Sequence, residues 1–260
     1  MVFPGGYGHV LAWLLRTTLT AMVEAGDATA LGRLLARRWP AVAATADGLL
    51  PELDAVRAGG AASSSSVRRL APMLGLHTAD LFVIAGLELS RDLVPASGTG
   101  PWHVGSVLER AVKLAPQSLR RLRERVRSLP EYPPAWPPVR PRCGYPLGPG
   151  EMMLRLLRNR NIRSYSPKVL YFIGDGPMVS SSTMAMLGPG RTRLTPQYVT
   201  AFATVLGIPG DDLAAVAGVA AATEPRLHRN HVELAQLAWE ARRLRSEQLA
   251  EVLDLAECLR

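Results

Sequence analysis

Apolar residues recur at three- and four-residue steps along most of this chain. Leu11, Leu14 and Leu15 form one such set, Leu31, Leu34 and Leu35 another, and Leu119, Leu122, Val126 and Leu129 a third. That period gathers side chains on one face of an α-helix, and few segments show the two-residue alternation of a strand. Pro116 suits the first turn of the helix carrying the third set. The run SSSS at 63–66 reads as a loop ending in a helix N-cap before Val67. Residues 132–150, YPPAWPPVRPRCGYPLGPG, read as a stiff linker, because proline removes backbone donors and fixes φ.

The pattern predicts an all-α protein in four parts. A helical module covers 1–97. One or two connecting helices and the proline-rich linker cover 98–149, and a second helical module covers 150–220. A C-terminal segment, 221–260, carries one long helix, since residues 230–260 contain no Gly or Pro. In that helix Leu234, Leu237, Ala241 and Leu244 lie near a 3.5-residue step, and the stripe continues through Leu249 to Val252 and Leu255. Such a stripe fits either a dimer seam or a helix folded back onto its own domain.

The second module ends with a string already used in the first. LAPMLGLHTADLFVIAGL, residues 70–87, aligns without gaps on FATVLGIPGDDLAAVAGV, residues 202–219. Ala71/Ala203, Leu74/Leu206, Gly75/Gly207, Asp80/Asp212, Leu81/Leu213, Ala85/Ala217 and Gly86/Gly218 are identical. The string reads as a helix closed by a left-handed glycine, a short turn, and a second helix also closed by glycine. The aspartates fall in the first turn of that second helix, where negative charge favours the helix dipole.

On these residues the sequence resembles the lambda-repressor-like, XRE-type helix-turn-helix proteins. GPGRTRLTPQYVTAFATV followed by LGIPGDDLAAVAGV is similar to the family's last two helices, with Thr195 and Pro196 as cap and first-turn proline. VSSSTMAMLGPGRTR, residues 179–193, is similar to its recognition helix. EMMLRLLRNRNI (151–162) and SPKVLYFI (166–173) resemble helices one and two, with GDGPM lengthening the turn before helix three. In the first module, residues 8–25, 27–39 and 41–58 stand for helices one to three. The resemblance implies two five-helix modules in a tandem, partly degenerate protein. Its implied function is transcriptional regulation through double-stranded DNA, bound as a homodimer.

Charge refines this picture. The chain holds 30 basic and 22 acidic side chains, and the excess lies in the middle and in the second module. Residues 98–148 hold nine basic against three acidic groups, and residues 149–219 hold seven against four. Basic excess favours an anionic partner. The resemblance places Ser180, Ser181, Ser182 and Thr183 at the major groove, and Arg191 and Arg193 on phosphate, with Lys168 and Arg163 adding to the basic face. Arg155 and Arg158 share an i, i+3 spacing that reads as a short basic stripe. The third-helix segment of the first module carries Glu52 and Asp54, which phosphates would repel, so that module reads as a scaffold or pairing surface. The basic helix SLRRLRERVRSL, 118–129, fits either a DNA-side helix or an ordinary surface helix with Glu124 paired to its arginines.

Little else carries chemistry. His228 and His231 form an HxxH spacing with no further ligand nearby, so no metal is expected. GPGRTR lacks the GK[ST] of a phosphate loop, and no serine sits in a nucleophile elbow; no enzyme and no cofactor are expected. Cys143 and Cys258 are far apart, no apolar run approaches a membrane span, and the N-terminus lacks a basic leader, which together point to a cytoplasmic protein.

Overall fold

A computed structural model of the chain describes residues 29–46, 48–96, 102–132, 147–163, 166–220 and 228–260. The described residues form thirteen α-helices and one 3-10 turn, with no strand among them. The N-terminal half contributes α1 (Ala30–Ala43), α2 (Leu50–Arg57), α3 (Ser64–Leu74) and α4 (Thr78–Ile84); α5 (Val104–Ala111) and α6 (Pro116–Ser128) follow. The C-terminal half contributes α7 (Pro149–Arg158), α8 (Pro167–Gly174), α9 (Ser181–Ala185), α10 (Pro196–Leu206) and α11 (Gly210–Ala217), then α12 (His231–Glu240) and α13 (Ser246–Cys258). The helix expected over 8–25 and all but the ends of the proline-rich linker lie outside the described residues. Proline opens α6, α7, α8 and α10, where its missing N–H would have had no helical partner.

The repeated string is a structural repeat, and it is longer than the alignment of 70–87 on 202–219. Ser63 and Thr195 cap α3 and α10 in the same way, each side-chain oxygen accepting from the amide three residues on. Both helices are eleven residues long and end on left-handed glycines, Gly75 at φ 65° and Gly207 at φ 69°. The Leu76 amide donates to the Ala71 carbonyl (3.0 Å) as the Ile208 amide does to Ala203 (3.1 Å). The Leu87 and Val219 amides likewise close onto Phe82 and Ala214. Identical glycines thus impose identical helix ends, because a residue with a Cβ is strained there.

The two copies lock the halves together crosswise. Asp80 of the first copy is wholly buried and takes Arg160, which follows α7, as an ion pair; Asn159 adds a hydrogen bond of 2.8 Å to the same carboxylate. Asp212 of the second copy is also buried and takes Arg37 (3.1 Å) and Arg38 (2.6 Å) from α1. At the other end of α11, Arg33 donates to the carbonyls of Ala215 (2.9 Å) and Val216 (2.8 Å). Helix α1 therefore grips α11 at both termini, with acid at the amino end and cation at the carboxyl end, as the helix dipole favours. Beyond a dipole role in the first turn, these two aspartates are the joints between the halves.

The C-terminal segment departs from the single long helix expected. It breaks at Ala241–Arg243 in a 3-10 turn. No Gly or Pro causes the break; Arg242 does, by turning inward. Its guanidinium donates to the Asn159 carbonyl (2.7 Å), to Asn159 Oδ1 (2.8 Å) and to the Leu93 carbonyl. Gln248 Oε1 then accepts from the Arg245 amide (2.9 Å) and starts α13. Leu234, Leu237, Ala241, Leu244, Leu249 and Val252 are all buried within this chain, where α12 and α13 pack on α5 and α6. The apolar stripe is therefore spent on the protein's own core.

Candidate nucleic-acid interface

The expected reading face is built from α8, α9 and the turn after α9. Val169, Leu170 and Ile173 seat α8 against α10. The helix ends at Asp175, and the Gly176 amide folds back to the Leu170 carbonyl (3.0 Å). Helix α9 follows after five more residues and is rooted by Met184 and Leu187, both buried. It covers only Ser181–Ala185, far less than the segment 179–193 that resembles a recognition helix. The reason is the turn beyond it. The Gly190 amide donates to Leu187 (3.0 Å), the Thr192 amide to Met186 (3.0 Å), and Thr192 Oγ1 to the Thr183 carbonyl (3.2 Å), so the chain doubles back.

The four hydroxyl residues divide in role. Ser180 is the N-cap: its Oγ accepts from the Thr183 amide (3.1 Å) and lies 2.7 Å from Ser182 Oγ and 2.9 Å from Thr183 Oγ1. Ser181 and Ser182 are exposed and Thr183 is half-buried. The doubled-back turn holds Arg191 and Arg193 beside this tip. Both are exposed and have no ion pair or side-chain hydrogen bond among the described residues, and the same is true of Lys168 on α8. Arg163 stands apart: it is half-buried and already engaged, and its charge bears on His103.

Several other basic groups are ion-paired, in two cases two arginines to one acid. Arg155 and Arg158, read as a stripe, converge on the buried Glu151. On α6, Arg123 and Arg127 meet Glu240 of α12, and Arg125 meets Glu251 of α13, whereas Glu124 has no ion pair among the described residues. Arg123, Arg125 and Arg127 are thus strapped to the C-terminal segment, whereas Arg120 and Arg121 of the same helix are exposed with no ion pair among the described residues. His231 Nδ1 lies 2.9 Å from the His228 carbonyl, and no group of three metal-ligating side chains forms among the described residues. No described helix is long and apolar enough to cross a membrane.

Compared with known protein families, curated proteins and solved structures, the chain matches none. Sequence reasoning missed one part of this half: Tyr171 and Phe172 of α8, and Met178 in the loop before α9, are 39%, 48% and 76% exposed, with Tyr171 and Phe172 in edge contact at 5.2 Å. The signal was VLYFI, five apolar residues in a row, since a short surface helix has only one face to bury.

Proposed function

We propose that the chain is a DNA-binding transcriptional regulator of the helix-turn-helix kind that meets duplex DNA with the tip of α9. One observation carries this reading: exposed Ser181 and Ser182 share the doubled-back α9 turn with Arg191 and Arg193, exposed cations with no ion pair among the described residues. Short hydroxyls reach phosphate or base edges, and the Thr183 methyl suits a thymine methyl. Five helical residues span only about 8 Å, so this tip reads one or two base pairs and phosphate contacts dominate. Useful specificity then calls for a second chain, which would pair through a surface other than the internally buried α12–α13 stripe.

The exposed Tyr171, Phe172 and Met178 favour a second reading, a protein-interaction scaffold that keeps the fold without reading bases. A substitution on the tip separates the two. Ser182→Glu places a carboxylate where phosphate would come, so it should abolish fluorescence anisotropy with a random duplex at low salt while leaving circular dichroism unchanged. Unaltered binding by that variant removes the α9 tip as the duplex contact, and no binding by the wild type favours the scaffold.

A further inference from the structure

The joint between the halves encloses a cleft of about 760 Å³, the size of a small-molecule site. Its walls come from α1, the α3–α4 turn, α10, the α10–α11 turn and α12, so one ligand there would touch both halves. Part of the lining is a pair of stacked rings: the His77 imidazole lies parallel to the Trp239 indole, 3.5 Å between centroids and 3° between planes. The guanidiniums of Arg160 and Arg242 sit 4.9 and 4.4 Å from the same indole centre.

Those two cations share one carboxylate, Asp80, hydrogen-bonded to Arg160. Arg160 is fully buried, and its Nε has no acceptor. An excess of positive charge therefore lies against the aromatic pair. The acids at the rim do not cancel it, because Asp211 is held by Arg37 (2.6 Å) and Glu240 by Arg123 (2.7 Å) and Arg127 (2.6 Å). Burial, aided by the two arginines, keeps His77 neutral, with its pKa lowered to about 4. Exposed Gln236 has no hydrogen bond among the described residues and supplies a free amide to the same wall.

We infer that this cleft binds a planar aromatic acid, its ring laid along the His77–Trp239 pair, its carboxylate met by the Gln236 amide of the same wall and its negative charge favoured by the two buried arginines at the indole, which do not themselves line the cleft. A ring polarised by cations prefers an electron-rich or anionic partner, and the mixed apolar and amide wall suits one or two fused rings. The inference does not depend on the DNA reading, and its test uses no DNA.

The test is calorimetric titration of the full chain with three probes: 2-naphthoate, cyclohexanecarboxylate and 1-naphthylmethylammonium. The expected result is 2-naphthoate binding with Kd on the order of 0.1–1 mM, with the other two at least tenfold weaker. His77→Ala and Gln236→Ala should each weaken 2-naphthoate about fivefold or more. His77 makes no side-chain cap, so its loss leaves α4 intact. Equal binding of all three probes, 2-naphthoate binding indifferent to His77→Ala, or none up to about 10 mM overturns the proposal.

Discussion

Asp80 and Asp212 occupy the same place in the two copies of the repeat, are equally buried, and yet should differ sharply in what their removal costs. Asp80→Ala strands Arg160, which is 0% exposed, and also orphans the buried Asn159 Nδ2. Removing one partner of a buried pair costs about 3–5 kcal/mol, and an orphaned buried donor about 1–3 more, with partial overlap between the two. A loss on the order of 4–6 kcal/mol follows, comparable to the whole stability of many domains. Asp212→Ala strands Arg38 and leaves Arg37 with Asp211 alone, and both side chains, 37% and 42% exposed, can return to water. Its cost should be only about 1–2 kcal/mol. Urea unfolding followed by circular dichroism measures both, and the m-value tests whether the halves still unfold together. A cost for Asp212→Ala equal to or above that for Asp80→Ala would refute the reasoning. Rescue adds a control: Asp80→Leu combined with Arg160→Met should regain at least half of the Asp80→Ala loss, since a buried pair is often replaceable by apolar groups.

Other outcomes follow from the same geometry. A Cβ at Gly150 would overlap the Leu187 carbonyl, which supports α9, so Gly150→Ala should cost about 1–3 kcal/mol; a Cβ at Gly210 would meet nothing within 4 Å, and Gly210→Ala should be neutral or gain up to about 1 kcal/mol. Thermal unfolding of the two variants checks this ordering. His77 and His103 are both held to a pKa of about 4 against an ordinary 6.5, in each case chiefly by burial. As pH falls from 6.5 toward 4 the unfolded chain takes up these protons first, so stability should decline across that window, and carboxylates held low by arginines, Asp92 at about 2 among them, continue the decline below it. Combining His77→Gln with His103→Gln should flatten the decline, and an unchanged slope would remove the two histidines from the account.

Helical periodicity, the first-turn proline of α6 and both glycine-closed copies were legible in the sequence, because each is set by residues a few positions apart; the serine run was read as a loop capped just before Val67, whereas Ser63 is the cap and Ser64–Ser66 already belong to α3. The crossed ion pairs were not. Asp80 meets Arg160, and Asp212 meets Arg37 and Arg38, across distances in sequence that no local pattern encodes. An aspartate in the same apolar frame of both copies was the available signal, and it read equally well as a dipole contact. The break at Ala241–Arg243 escaped for a similar reason: an arginine turned inward by distant carbonyls leaves no Gly or Pro behind. At the candidate site, Ser181, Ser182, Arg191 and Arg193 are exposed, while Ser180 serves as the cap and Arg163 is engaged elsewhere. The shortness of α9 was hidden because its fold-back depends on Thr192, which reads in sequence as an ordinary polar residue between two arginines.

The most direct measurement is the salt dependence of duplex binding, compared between the wild type and the double variant Arg191→Ala, Arg193→Ala. Each phosphate contact contributes about 0.9 to the slope of log K against log salt, so losing both arginines should make the line shallower by roughly 1.8. Two parallel lines would mean that these cations, although uncommitted within the described protein, meet no phosphate, and the proposed reading face would be wrong.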